Sequence, residues 1–150
     1  MTSGMVMGHS PAKIDDKGRL KVPADFRKVI EERYGNDCFI TSTDGERALV
    51  YPLPVWMEFQ SRLAKVPSTS QAKQKLLERV NYFGQVGSID AQGRVLVPAV
   101  LRNVAGISDD VVVIGNSDHL IVWNEERIQK RLAETPMSAD DFKELELHGV

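Results

Sequence analysis

The chain has 150 residues, a net charge of −2 at pH 7 and 42% hydrophobic residues, which is typical of one soluble globular domain. Its single cysteine, Cys38, excludes an intrachain disulfide, and no apolar run approaches the roughly 20 residues of a membrane-spanning helix. The first ten residues lack the pattern of a signal peptide, so we expect a cytoplasmic protein. Residues 1–80 carry a net charge of +3 and residues 81–150 a net charge of −5. This asymmetry weakly indicates a basic working face, although solvated surface charge is its more common source.

The first strongly patterned stretch in the chain occurs twice. Residues 14–27 read IDDKGRLKVPADFR, and residues 89–102 read IDAQGRVLVPAVLR. Eight of the fourteen aligned positions are identical. A repeat at fixed spacing indicates that one structural unit is used twice.

The pattern of this unit predicts a strand, a tight turn, a second strand and a short helix. Asp15 and Gly18 occupy the first and fourth positions of a type I turn, where aspartate bonds the backbone and glycine adopts a positive φ. Residues 19–22 alternate polar and apolar side chains, as in a half-buried strand. Pro23 suits the first turn of a helix. The turn should therefore hold Asp15 and Arg19 close together.

The remaining elements follow the same order in both copies. Apolar periodicity and turn residues predict them as follows. In the first copy we expect a helix over 24–34, strands over 37–41 and 48–51, and a helix over 55–63. A linker at 67–70 and a helix over 71–83 lead to the second copy, with a helix over 98–105, strands over 111–114 and 120–123, a helix capped by Asn124, and an acidic helix over 138–147.

Each copy is too short and too rich in strands to bury its apolar faces alone, so we expect the two to interlock in one barrel. The predicted fold class is α+β and β-rich: a pseudo-symmetric barrel of two β-turn-β-α-β-β repeats, flanked by helices. The predicted division is an N-terminal segment over 1–13, repeat 1 over 14–66, a linker and helix over 67–88, repeat 2 over 89–132, and an acidic helical tail over 133–150.

The paired aspartate and arginine of each turn allow two interpretations. Asp90, Gly93 and Arg94 repeat the positions of Asp15, Gly18 and Arg19. The plain interpretation is that each pair only braces its turn. The functional interpretation is that the brace presents an oriented guanidinium on a rigid loop, where it can read guanine edges or clamp a phosphate. Duplicated loops suit a periodic ligand such as a DNA duplex, and the residues alone leave both interpretations open.

The two copies differ in basic character. Lys17, Arg19 and Lys21 are cationic in the first copy, whereas the second copy keeps Arg94 and has glutamine and leucine in place of the lysines. Because phosphate contacts need cations, we predict that the first copy dominates affinity and that the second is partly structural. Arg27, on the following helix, is a further candidate contact, although it could equally cover the helix surface.

The sequence contains few signs of catalysis. His9, His119 and His148 lie far apart without metal-ligand spacing, and no nucleophile elbow, phosphate-binding glycine loop or dinucleotide fingerprint is present. Trp56 and Trp123 stand at what we take to be equivalent ends of the two copies, and core packing is the better interpretation of both. We expect no enzymatic activity, cofactor, metal ion, small-molecule substrate or membrane partner.

The doubled Asp-x-x-Gly-Arg motif, followed each time by apolar-x-apolar-Pro, resembles the MraZ family of bacterial transcription regulators. These proteins are tandem members of the AbrB-like swapped-hairpin barrels. Further matching stretches are residues 51–56, residues 101–102, and residues 113–115 leading to Trp123. The resemblance spans residues 5–132 and implies nothing about the role of residues 133–150.

The resemblance implies a DNA-binding repressor of the division and cell-wall gene cluster that it heads. It also implies a closed homo-oligomeric ring, commonly octameric, that binds short direct repeats in its own promoter and is associated with the nucleoid. The family's contact residues correspond here to Lys17 and Arg19, with Asp15 as the brace. Arg94 and Asp90 are their equivalents in the second copy.

Two alternatives to this function stay open. One is an antitoxin of the same barrel class, whose tail would mask a partner toxin; the acidic segment at 138–150 allows this, but such antitoxins carry one motif per chain. The other is a protein-interaction module whose loops bind an acidic partner. Competition by unrelated DNA would separate it from a DNA-binding protein.

Overall fold

The computed structural model describes residues 4–150 and contains, within them, eight strands and six helices. The first copy and the helices after it are β1 (Val6–Ile14), β2 (Arg19–Lys21), α1 (Ala24–Tyr34), β3 (Asp37–Thr41), β4 (Ala48–Pro52), α2 (Leu53–Leu63) and α3 (Gln71–Tyr82). The second copy and the helices after it are β5 (Gln85–Ser88), β6 (Arg94–Leu96), α4 (Ala99–Ala105), β7 (Asp109–Ser117), β8 (His119–Asn124), α5 (Glu125–Glu134) and α6 (Ala139–Leu147).

The eight strands form one antiparallel sheet that curls into a nearly closed barrel. Their order is β5-β3-β4-β8-β7-β1-β2-β6. The copies exchange strands, because β1 of the first pairs with β7 of the second, and β5 of the second pairs with β3 of the first. Neither copy therefore has a sheet of its own. The expected α+β, β-rich barrel of two interlocked repeats is confirmed.

Two strand pairs join equivalent elements of the copies, namely β2 with β6 and β4 with β8. In the first of these pairs, Leu20 lies opposite Val95, its own equivalent in the repeat. A pseudo-two-fold axis therefore passes through both pairs. The division into segments predicted above stays a prediction.

Aliphatic side chains from both copies fill the barrel. The alternation of each strand turns one face inward, and burying each such side chain stabilises the fold by about 1.5–3 kcal/mol. Phe26 of α1 and Leu101 of α4, at equivalent positions, join this core. The innermost aliphatic strand residues, each 1% exposed or less, are Leu20, Ile40, Ala48, Val50, Val95, Val111, Val113, Leu120 and Val122.

Most predicted helices and strands are confirmed to within a few residues. The main difference is the length of β1, because the strand predicted before the first turn begins as early as Val6, in a segment for which no strand bounds were predicted. Gly8 and Ser10 share the inward face of Val6 and Ile14, so the apolar alternation that marks a strand is missing. The predicted caps Asn124 and Ser138 are confirmed, each accepting a backbone N–H in the first turn of its helix.

The two tryptophans are buried, as predicted, at 5% exposure each. Their expected equivalence is wrong, because Trp56 lies in α2 and Trp123 lies in β8. The residue that corresponds to Trp123 is Tyr51 of β4. Tyr51 is paired with Phe39 of β3, and Trp123 is paired with Val112 at the equivalent position of β7. Within the described residues, no helix is long and apolar enough to cross a membrane.

Candidate nucleic-acid interface

Each copy presents one tight turn at the end of its first strand; we call them loop 1 (residues 15–19) and loop 2 (residues 90–94). In loop 1, the Gly18 N–H donates to the Asp15 carbonyl at 3.0 Å, and the Asp15 N–H donates to the Arg19 carbonyl at 3.0 Å. Gly18 has a φ of +86°, which side chains other than glycine rarely adopt. The predicted turn of the first copy is confirmed.

The Asp15 carboxylate holds both the turn and the arginine of loop 1. Its Oδ1 accepts the backbone N–H groups of Lys17 at 3.0 Å and Arg19 at 2.9 Å, and its Oδ2 accepts the Arg19 Nε–H at 2.8 Å. These donors favour the ionised carboxyl, the Arg19 backbone N–H most of all, and keep the pKa of Asp15 below its ordinary value. The Arg19 side chain, 31% exposed, is therefore fixed at the surface.

Loop 2 repeats this geometry with a looser side-chain contact. The Asp90 Oδ1 accepts the backbone N–H groups of Gln92 and Arg94, each at 2.9 Å. The Arg94 Nε–H reaches the Asp90 Oδ2 at 3.3 Å, compared with 2.8 Å for the equivalent bond in loop 1. Backbone donation from Arg94 is also the main cause that lowers the pKa of Asp90. Both aspartate–arginine braces are thus present, and the brace of loop 1 is the tighter one.

The two loops are fixed to each other through the pair β2–β6. The Val22 N–H donates to the Gly93 carbonyl at 2.8 Å, and the Val97 N–H donates to the Gly18 carbonyl at 2.9 Å. Each loop glycine is therefore hydrogen-bonded to the other copy, and the two loops flank the short antiparallel pair β2–β6, loop 1 beside Leu96 and loop 2 beside Lys21.

An arginine from the opposite copy packs on each loop. Arg102 of α4 lies against Gly18 so closely that an added Cβ there would come within 2.4 Å of its Cζ. Arg27 of α1 lies against Gly93, where an added Cβ would come within 2.9 Å of its Nη1. Only glycine leaves room for these guanidinium groups. The loop of each copy is consequently supported by the arginine of the other.

Hydrogen bonds hold both supporting arginines in place. Arg27 donates from Nε to Glu31 at 2.6 Å and from Nη2 to the Ala91 carbonyl at 3.3 Å, and Arg102 donates from Nε to the Val97 carbonyl at 3.0 Å. A DNA contact by Arg27 stays a prediction, but these contacts give it a positioning role. Arg102 is not among the predicted site residues. Its identity with Arg27 in the repeat was the available signal, and only the fold shows which loop it supports.

The lysines predicted for the interface occupy different environments. Lys17 is exposed at the tip of loop 1, whereas the Lys21 Nζ reaches across to the Gln92 carbonyl of loop 2. Lys21 and Arg94 lie directly opposite each other on the outer face of β2–β6. At the position equivalent to Lys21, the second copy exposes Leu96 at 43%. The basic surface is therefore centred on loop 1 and extends to the edge of loop 2.

The arginines of this surface are suited to binding an anion or a base edge. Within residues 4–150, the terminal nitrogens of Arg19 and Arg94 donate no hydrogen bond, although the Nε of each is held by a carboxylate. A guanidinium oriented in this way presents a fork that matches phosphate oxygens or the acceptors of guanine. No cluster of His, Cys, Asp or Glu that could hold a metal ion occurs in the described part of the chain.

A barrel of two interlocked repeats, each with a braced Asp–Arg turn, is a tandem form of the AbrB-like swapped-hairpin barrel. Comparison of the sequence with protein families specifies this class further. The family model described as "MraZ protein, putative antitoxin-like" matches residues 5–79 and 86–146. The chain belongs to the MraZ family.

Several curated proteins are similar to the chain over most of their length. A transcriptional regulator MraZ from Acidobacterium capsulatum is 46% identical over 146 residues, which cover 97% of this chain and 100% of that protein. One of the same name from Koribacter versatilis is 44% identical over 147 residues, with 97% and 100% covered. Another from Limosilactobacillus fermentum is 41% identical over 126 residues, with 82% and 83% covered.

Proposed function

We propose that the protein is a transcriptional regulator that binds DNA in a sequence-specific manner and has no enzymatic activity. In this proposal it represses the division and cell-wall gene cluster that it heads, by binding short direct repeats in its own promoter. Membership of the MraZ family and the names of the relatives support the regulatory role. The DNA contacts are inferred from the braced arginines, and the operator and the repression from the resemblance to the family.

The observation that carries the proposal is the pair of braced, arginine-bearing loops that flank the antiparallel pair β2–β6. Arg19 and Arg94 are each braced by an aspartate, and hydrogen bonds across β2–β6 set the spacing between the loops. Preorganised side chains lose little conformational entropy when a ligand binds, so more of the contact energy appears as affinity. A pair of fixed guanidinium groups supports recognition of a ligand with regular spacing, as in a duplex.

The proposed division of roles follows the charge of the loops. Arg19 reads a base edge or holds a phosphate, and Lys17 and Lys21 add phosphate contacts that set the affinity. Arg94 makes the weaker, second contact. Arg27 and the two aspartates keep the loops in position.

Assembly explains how a chain with net charge −2 can bind a polyanion. Each subunit offers only a few cations to DNA, so several subunits of a closed ring, commonly octameric in this family, would engage successive repeats at high effective concentration. Head-to-tail contacts between subunits match direct repeats in the DNA, as two-fold dimers match palindromes. A protein acting in this way would be found in the cytoplasm on the nucleoid.

A titration tests the proposal directly. Wild-type protein and Arg19→Ala are titrated, at one fixed salt concentration, into DNA from immediately upstream of the gene for this protein and into a scrambled duplex of equal length. We expect tight binding that prefers the native sequence and that is lost with Arg19→Ala. Weak binding that ignores both the sequence and the substitution would instead make the loops a scaffold and direct the search to a protein partner.

A further inference from the structure

The two repeats differ in what covers the outer face of the barrel. In the first, α3 lies on β3 and α2 and completes a small second core. Val80 of α3 is fully buried in a cluster with Phe39 of β3 and Trp56 of α2. The Thr41 hydroxyl donates to the Val80 carbonyl at 2.7 Å and fixes the helix to the strand.

Strand pairing identifies the corresponding surface in the second repeat. Phe39 pairs with Val86 of β5, and Val112 pairs with Pro11 of β1. Val86 and Pro11 are 75 positions apart, which is the offset of the repeat. Val112 is therefore the counterpart of Phe39, and Ile114, two residues further, is the counterpart of Thr41.

The adjoining helices correspond in the same way. The helix α2 begins directly after β4, and α5 begins directly after β8, so Ile128 takes the place of Trp56. Val112, Ile114 and Ile128 line an open groove of about 400 Å³ between β1, β7 and α5, with Leu132 beside them at 65% exposure. This groove is the second repeat's version of the surface on which α3 packs.

The helix that should fill the groove follows α5 as α3 follows α2. That helix is α6, and a serine caps each of the two at the N-terminus. Every residue from 131 to 150 is exposed, and Phe142 and Leu145, three positions apart, form an apolar stripe on α6. A helix of nine residues is marginal on its own in water, so it needs a surface to pack against.

The lengths of the segments that precede α3 and α6 explain why α6 does not pack in the groove of its own chain. Seven residues, 64–70, join α2 to α3 and let α3 fold back, whereas only four residues, 135–138, join α5 to α6. We propose that α6 of one copy docks in the groove of a second copy of this chain, with Phe142 and Leu145 on Val112, Ile114 and Ile128. The inference specifies, and rests on, the ring assembly in the proposed function.

Such a contact is heterologous, because the helix and the groove are different surfaces of the chain. Repeating it links subunits head to tail, and the chain of subunits closes into a ring when the rotation allows. The contact would also place the basic loops of successive subunits in the same orientation, which direct repeats in DNA require.

Sedimentation velocity on three full-length variants tests the contact. Phe142→Ser/Leu145→Ser removes the stripe, Ile128→Asp places a charge in the groove, and Leu147→Ser is the control, since Leu147 is 85% exposed and off the stripe. We expect wild type and the control to form the same large oligomer, and the stripe and groove variants to sediment as monomers. An unchanged far-UV circular dichroism spectrum and a single cooperative thermal transition show that each variant is folded, and loss of the oligomer itself can lower the melting temperature.

Mixing the two monomeric variants tests the direction of the contact. The groove variant has an intact α6 and the stripe variant an intact groove, so an equal mixture should give a dimer that grows no further. A mixture that remains monomeric would overturn the pairing of these two surfaces.

The remaining outcomes separate this inference from the proposed function. If the stripe and groove variants keep the wild-type oligomer, the contact is wrong and a ring must use other surfaces. If wild type is a monomer, both the ring and the contact are wrong. In either case, titration of Arg19→Ala against wild type on a duplex with a single binding repeat still tests DNA binding alone.

Discussion

Loop 1 and loop 2 have the same backbone conformation and differ in the side chains that they expose to solvent. In each, an aspartate accepts two backbone N–H groups and an arginine Nε–H, and a glycine has a φ near +80°. At the exposed positions, however, Lys17 of loop 1 and Lys21 of β2 are replaced by Gln92 of loop 2 and Leu96 of β6. The residues that the turn geometry requires are common to both copies, whereas those that meet solvent have diverged.

This difference indicates that both copies use the same turn geometry but offer different numbers of cations to a ligand. The turn strongly favours its aspartate and glycine, because the carboxylate accepts the backbone N–H groups of the turn and glycine adopts the positive φ without strain. Its outward positions carry no such constraint, so one copy can be strongly basic while the other is nearly neutral. The experiments below test whether binding follows the scaffold or the surface charge.

The largest expected effect comes from removing the arginine of the more basic loop. Arg19→Ala should cost about 1–3 kcal/mol of binding free energy per engaged subunit, the range for one good bidentate contact, and so nearly abolish binding by an assembly. Arg94→Ala should cost less, because its brace is longer and no lysine of its own loop flanks it. Titration of both variants on one duplex at fixed salt measures the difference.

Equal losses for the two arginine variants would contradict the dominance of loop 1. Thermal melting followed by circular dichroism serves as the control, since both side chains lie at the surface and the barrel core does not depend on them.

The next effect concerns stability and the close approach of Arg102 to loop 1. Gly18→Ala combines a strained φ of +86° with a clash at 2.4 Å, so we expect a loss of about 2 kcal/mol in urea denaturation at constant protein concentration. Gly93→Ala should lose about 1 kcal/mol, because its φ of +79° is similarly strained but the nearest guanidinium atom, the Nη1 of Arg27, lies farther away at 2.9 Å.

Gly8→Ala is the matched control for this pair. Gly8 has a φ of +85° with nothing within 4 Å of an added Cβ, so the substitution introduces strain without a clash. If Gly18→Ala costs no more than Gly8→Ala, Arg102 does not restrict loop 1.

A smaller effect tests the crossed support of the loops. Arg102→Ala should weaken DNA binding by about 1 kcal/mol by loosening loop 1, although Arg102 belongs to the second copy. Arg27→Ala, which loosens loop 2, should weaken it less. Titrations at several salt concentrations measure both the affinity and its dependence on salt.

The salt dependence separates positioning from contact. Loss of a phosphate contact lowers the slope of log affinity against log salt by about 1, whereas loss of a positioning residue leaves the slope unchanged. A reduced slope for Arg27→Ala would therefore make it a DNA contact, as the sequence suggested.

The smallest expected effect is a gain. Gln92→Lys gives loop 2 the tip residue of loop 1, so the salt slope should steepen by about 1 and binding at low salt should tighten by a few-fold. Asn103→Lys, which adds the same charge on α4 at the position of Lys28 in the repeat, is the control for net charge. If both variants behave alike, general charge rather than the loop position sets the affinity.

Much of this molecule could be predicted because its signals are local. The Asp15 turn, its glycine and the brace to Arg19 involve residues within five positions of each other, and backbone geometry restricts which side chains fit. Helix caps such as Asn124 and Ser138 are local for the same reason. The full length of β1 was not predicted, because its partner β7 supplies the pairing that its own composition does not indicate.

The sequence by itself determined the repeat, the two turns, the barrel class and the difference in charge between the loops, because each follows from neighbouring residues or from the resemblance that they carry. Tertiary structure alone decided that Arg102 supports loop 1 and Arg27 loop 2, and that α3 covers one repeat while a groove stays open on the other. These features depend on contacts between residues that the exchange of strands brings together from distant parts of the chain, and no local pattern encodes that exchange.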